Sequence, residues 1–139
     1  MRSALQVVVA SAIVCSVGSA QYQKLAGAKR TASIDRGRYL VNNVAQCTQC
    51  HTPRNERGEL ILSRLLEGAP ILVSKPSMIT SWADFAPRIA GLPQYSQEQI
   101  ITLLTTGIGR EGKPLRSPMP TYKMSQQDAE DVAAYLKQK

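Results

Sequence analysis

Residues 47–51 read Cys-Thr-Gln-Cys-His, and no other segment of the chain restricts its fold as tightly. Two thiols two residues apart, with a histidine directly after the second, form the pattern that attaches a c-type haem covalently. The reason is geometric. Each thiol adds to one porphyrin vinyl group, and the spacing lets both sulfurs reach. The histidine is then carried under the ring, where its imidazole can ligate iron. Other readings of such a pair are a small-loop disulfide, a zinc site or a redox dithiol. Zinc sites use four protein ligands, or three and a water, and past the first twenty residues the chain has two cysteines and one histidine. A redox dithiol would want a βαβ context, and no strand pattern surrounds these residues.

His51 is the sole histidine. A second attachment site and ligation by two histidines of the same chain are thereby excluded, so one haem is the limit. The sixth position on iron must fall to methionine, a nitrogen such as lysine, water or nothing. Met119 is the favoured candidate. It lies in Ser117-Pro118-Met119-Pro120, where two prolines restrict the backbone that would hold the thioether. Met124, just before a helix, and Met78, in a Pro- and Ser-containing loop, are the alternatives, and methionine is commonly a gap-filling core residue.

The first twenty residues read as an export signal. Arg2 is the only charge, an apolar run follows from Leu5 to Val17, and Gly18-Ser19-Ala20 offers small residues for cleavage. An uncleaved anchor would need about twenty apolar residues, and a lipid anchor on Cys15 would want a smaller neighbour than Val14. The expected location is the periplasm, with membrane anchoring the lesser alternative. Cleavage removes Arg2 from the 17 basic residues, leaving 16 against 10 acidic and a net charge of +6. Export argues against nucleic acid as the target of this charge. It suits steering toward redox partners with acidic docking surfaces, through side chains such as Lys113, Arg116 and Lys123 beside the Met119 loop.

The organisation is all-α, with a signal over 1–20, a flexible lead-in over 21–32 and one domain over 33–139. A helical pattern runs from Ser33 into the attachment motif, with Ile34, Gly37, Leu40, Val41 and Val44 on one face. Gly37 is placed to let another helix cross closely. Residues 52–95 hold five prolines and read as long loop, with a turn near Arg64–Leu66; such a loop is credible when it wraps a cofactor. A helix spans Ser96–Thr105, opened by Ser96 and Gln99 as a capping box and stopped by Gly107. The last helix runs from about Gln126 to Lys137, with Ala129, Val132, Ala133 and Leu136 on its apolar face.

This order of helix, attachment motif, long loop, helix, Met loop and terminal helix resembles the class I cytochrome c fold over residues 33–139. Gly37, Tyr39 and Tyr135 look like the crossing of its terminal helices, and Met119 matches its axial methionine. Cys50-His51-Thr52-Pro53-Arg54, Gly68-Ala69-Pro70, Ala90-Gly91-Leu92-Pro93 and Pro118-Met119-Pro120-Thr121-Tyr122 look like a bacterial group of mono- and dihaem cytochromes, here a single-haem member. Members are often associated with periplasmic dehydrogenases or respiratory complexes.

The resemblance implies that a proline carbonyl accepts the His51 imidazole N–H, with Pro70 the candidate by position. Trp82, Arg88 and Tyr95 are candidates for the haem propionates. The expected function is single-electron transfer through a haem held by Cys47, Cys50, His51 and Met119, with no substrate transformed. The alternative is a cytochrome stably assembled into a dehydrogenase or respiratory complex. A peroxidase or gas binder with an open sixth position is a further reading.

Overall fold

The computed structural model describes residues 4–139, with side chains from Ser19 onward. Of the expected export segment, Met1, Arg2 and Ser3 lie outside the described residues, as do the side chains of 4–18. The chain divides into two compact units, residues 1–32 and 33–139. In the first, α1 (Ala4–Tyr39) covers every described residue. Residues 21–32, expected as a flexible lead-in, are helical and exposed throughout. Ala, Leu, Lys, Gln and Arg fill most of that stretch and are among the best helix formers; Gly27 alone opposes them strongly. Among the described residues no helix is long and apolar enough to cross a membrane.

In the second unit, α1 gives way to a π-helical turn over Leu40–Val44, closed by the Ala45 N–H donating to the Leu40 carbonyl at 2.8 Å. The wider i→i+5 ring shifts the phase of the apolar face. Leu40 and Val41 stay buried, whereas Val44, expected on that face, is exposed. Gln46 then takes a left-handed conformation (φ 52°, ψ 36°) and turns the chain into α2 (Cys47–His51). A 3-10 turn covers Leu62–Arg64. The remaining long loop is pinned by one antiparallel ladder, β1 (Ala69–Pro70) against β2 (Phe85–Ala86), in the register Ala69 to Ala86 and Pro70 to Phe85.

α3 (Gln97–Thr106) begins at Ser96 with both hydrogen bonds of the expected capping box and ends at Gly107 in the left-handed region (φ 77°). α4 (Gln126–Lys137) is capped by the Ser125 hydroxyl accepting from the Asp128 N–H. α3 and α4 pack together, and Ile100, Leu104, Val132 and Leu136 join Leu40, Val41 and Leu66 in one apolar core.

Gly37 lies where the end of α1 meets α4. A Cβ there would stand 2.6 Å from the Asp131 carbonyl carbon and 2.9 Å from the Tyr135 Cβ, so only glycine permits this approach. Ser33 Oγ donates to Asp131 Oδ1, and Arg36 pairs with Asp128 at 3.0 Å across the same contact. Tyr39, expected at the crossing with Gly37 and Tyr135, is instead 52% exposed, with the Arg36 guanidinium 5.7 Å from its ring centroid. Two residues along a helix turn it by about 200°, which carries Tyr39 to the far side from Gly37.

Candidate cofactor site

The core opens into a cavity of about 830 Å³, within the roughly 300–1,000 Å³ usual for ligand and cofactor sites. α2 contributes Cys47, Cys50 and His51 to its wall. α3 adds Ile100, Leu103 and Leu104, α4 adds Val132 and Leu136, and the segment after α3 adds Met119 and Tyr122. All four residues singled out in the sequence therefore face one space, although Met119 is 68 positions beyond His51 in the chain.

His51 is 5% exposed, and its Nδ1 lies 2.7 Å from the carbonyl oxygen of Pro87. A carbonyl only accepts, so Nδ1 carries the proton and Nε2 keeps the lone pair. Burial lowers the ring's pKa from its ordinary value, against the opposing effect of the Pro87 bond. The imidazole is thus held neutral in the tautomer a metal ligand requires.

The acceptor is Pro87 and not Pro70. Pro70 sits in β1 opposite Phe85 and is exposed. The ladder register places Pro87 across from Gly68, and Gly68 donates its N–H to the carbonyl of His51 itself at 2.8 Å. Gly68 has φ +91°, and a Cβ on it would meet the Ala86 oxygen and Arg88 nitrogen, each at 2.8 Å. Its bare Cα lets residues 86–88 close over the imidazole. Leu66 supports the same segment. Its carbonyl accepts from the Ile89 and Ala90 N–H groups, and its own N–H donates to the buried Thr52 hydroxyl at 3.1 Å.

Cys47 and Cys50 are free thiols in the structure. Burial is the main cause pushing the Cys47 thiol up to about 11, with the neighbouring Cys50 charge adding to it. Cys47 is 8% exposed, and its free thiol is protonated at neutral pH.

The three candidate methionines separate clearly. Met119 lines the cavity. Met124 packs against the core and donates its N–H to the Leu104 carbonyl. Met78 is 92% exposed. The Met119 loop is fixed from both sides. Before it, Ala83 N–H donates to the Ser117 carbonyl at 2.7 Å and Trp82 bridges to Ser117. After it, the Tyr122 hydroxyl donates to the Ala45 carbonyl at 2.8 Å, tying the loop to the segment that enters α2. Of the propionate candidates, Arg88 and Tyr95 line the cavity and Trp82 does not; Trp82 serves through its backbone bridge to the Met loop. Pro87, Gly68 and Tyr122 were missed as site residues, and only the Gly68-Ala69-Pro70 and Pro118–Tyr122 motifs hinted at two of them.

The cavity, the attachment motif and the neutral histidine fit a covalent haem, and the cytochrome c family model matches residues 34–139. The chain belongs to the cytochrome c family. Its domain is accordingly an iron- and haem-binding electron-transport domain of the class I fold, all-α apart from the two-residue ladder among the described residues. A dihaem c-type cytochrome of Cereibacter sphaeroides is 29% identical over 106 residues, covering 74% of this chain and 34% of that protein. The fructose dehydrogenase cytochrome subunit of Gluconobacter japonicus is 38% identical over 73 residues, 52% of this chain and 14% of that one. A nicotinate dehydrogenase subunit of Pseudomonas putida is 31% identical over 96 residues, 66% of this chain and 7% of that one. The cytochrome therefore corresponds to a minor part of each of these longer relatives.

Proposed function

We propose that the chain is an exported, periplasmic single-electron carrier with one haem c, joined by thioethers to Cys47 and Cys50 and ligated by His51 and Met119. The carrying observation is that a neutral histidine, fixed through Nδ1 to Pro87, and one loop-held methionine line the same apolar cavity. The haem supplies reversible ferric–ferrous chemistry. Pro87 orients the His51 ring and raises its basicity as a ligand. The pinned Met119 loop presents a thioether, and methionine ligation favours a high reduction potential. The apolar walls keep water from the site. The sole histidine limits the chain to one haem, unlike the dihaem relative.

Optical spectra of the purified holoprotein in both oxidation states test this reading. The oxidised wild type is expected to show the weak long-wavelength charge-transfer band of methionine-ligated haem, and Met119→Ala is expected to lose it. A wild type that is high-spin without the band would refute methionine ligation and make an open-site peroxidase or gas binder the leading function.

A second reading, an electron-transfer subunit stably held by a dehydrogenase, is favoured by the two relatives named as parts of dehydrogenases. Gentle purification from the native host separates the two. A free carrier elutes alone, whereas a subunit co-elutes with a larger protein in fixed ratio.

A further inference from the structure

We propose that the loop 71–84 is an apolar docking finger that seats on the apolar centre of a redox protein whose surrounding surface is acidic. This rests on the electron-carrier reading and adds the surface through which the carrier is recognised. Scattered exposed apolar residues are ordinary on any protein. Here Leu72 (75% exposed), Val73 (65%) and Met78 (92%) fall within seven residues of one loop.

The loop is anchored at both ends. Ile71 N–H donates to the Asp84 carbonyl at 2.9 Å, the β1–β2 ladder closes beneath it, and Ala83 is bonded to Ser117 two residues before Met119. Ile71, Ala83 and Phe85 also line the cofactor cavity. The loop's base is therefore part of the cavity wall, and its apolar side chains stand in solvent. A partner that covers Leu72, Val73 and Met78 is brought to the edge of the cavity where electrons must pass.

The charge on the cavity rim indicates the chemistry of that partner. The loop itself carries Lys75 and Asp84, and Arg110, Lys113 and Arg116, against Glu111 alone, line the same cavity as its base. Among the described residues Lys113, Arg116 and Lys123 form no ion pair. Positive charge around an apolar centre is complementary to an acidic surface with an apolar centre. In such interfaces the charges steer encounter and the buried apolar contacts hold the complex.

The test uses the holoprotein and gold electrodes coated with either carboxylate-terminated or mixed methyl- and carboxylate-terminated alkanethiols, as chemically defined partners. The variant combines Leu72→Ser, Val73→Ser and Met78→Ser, all exposed. On the mixed surface it is expected to exchange electrons about tenfold more slowly than wild type, while both exchange equally on the pure carboxylate surface and share one reduction potential. Equal rates on the mixed surface would overturn the proposal, as would an equal loss on both surfaces. Phosphatidylglycerol–phosphatidylcholine vesicles that bind wild type but not the variant would overturn it in favour of a membrane contact. A wild type with no reversible wave on either surface would sink the electron-carrier reading and the docking finger with it, whereas the other failures leave that reading standing.

Discussion

Replacing Gly68 by alanine tests how the fold holds the histidine. Two costs are added. The first is conformational: an L-residue at φ +91° loses about 1–2 kcal/mol relative to glycine. The second is steric. The new Cβ would lie 2.8 Å from the Ala86 oxygen and the Arg88 nitrogen, both backbone atoms, and ordinary contact begins at 3.4 Å. Residues 86–88 must retreat by about 0.6 Å, at an overpacking cost of about 1–3 kcal/mol.

That retreat stretches the His51–Pro87 bond, now 2.7 Å, toward about 3.3 Å, the weak end of the N–H···O range. Gly58 separates the two costs. It has φ +79°, and a Cβ added there would meet nothing within 4 Å, so Gly58→Ala carries the conformational cost alone. Thermal unfolding of both holoproteins should then differ by about 1–3 kcal/mol, or roughly 4–12 °C in Tm for a domain of this size. The potential should separate them too. A weaker Nδ1–H bond makes His51 a poorer donor to ferric iron, so the potential rises. A differential loss of about 1 kcal/mol corresponds to about 40 mV for one electron. Spectroelectrochemical titration should show this rise for Gly68→Ala and none for Gly58→Ala. If the two variants melt together and neither potential moves, the account of Gly68 and Pro87 is wrong.

Gly37→Ala should be destabilising by about 1–2 kcal/mol, because overpacking against Asp131 and Tyr135 outweighs the helix-propensity gain of about 1 kcal/mol. Gly27→Ala in the same helix meets nothing within 4 Å and should be neutral or stabilising in chemical denaturation; equal effects would remove the tight crossing. Burial, and secondarily the charges of Cys47 and Cys50, push the Tyr122 hydroxyl up to about 12 from its ordinary 10. Thioether sulfurs carry no charge, so burial alone raises it in the holoprotein, and by less. A raised folded pKa means stability that is complete below pH 10 and lost as pH climbs through the folded value. Tyrosinate difference absorbance and alkaline unfolding should show this loss in wild type and its absence in Tyr122→Phe; identical alkaline profiles would contradict the burial of the Tyr122 hydroxyl.

Local chemistry explains what could be read from the residues alone. The attachment motif is legible because haem chemistry requires those side chains at that spacing. Ser96 with Gln99, and Gly107, mark helix ends because capping satisfies backbone groups within three or four residues. Gly37 was legible as a crossing point because a missing side chain has few other uses on a helix face. Other features depended on contacts that no local pattern encodes. The π turn at Leu40–Val44 carries Val44 into solvent. A ladder of only two residue pairs sets Pro87 across from Gly68, whose N–H meets the His51 carbonyl, and so brings the carbonyl of Pro87, and not that of Pro70, to the ring. Trp82 lies off the cavity because its backbone is committed to Ser117. The amino-acid sequence by itself pointed to a covalent haem and to the thiols and histidine expected to hold it. The tertiary structure decided which carbonyl tunes the histidine, which methionine shares its cavity and which apolar loop stands at the edge, because each is a meeting of segments distant in the chain, set by register and packing.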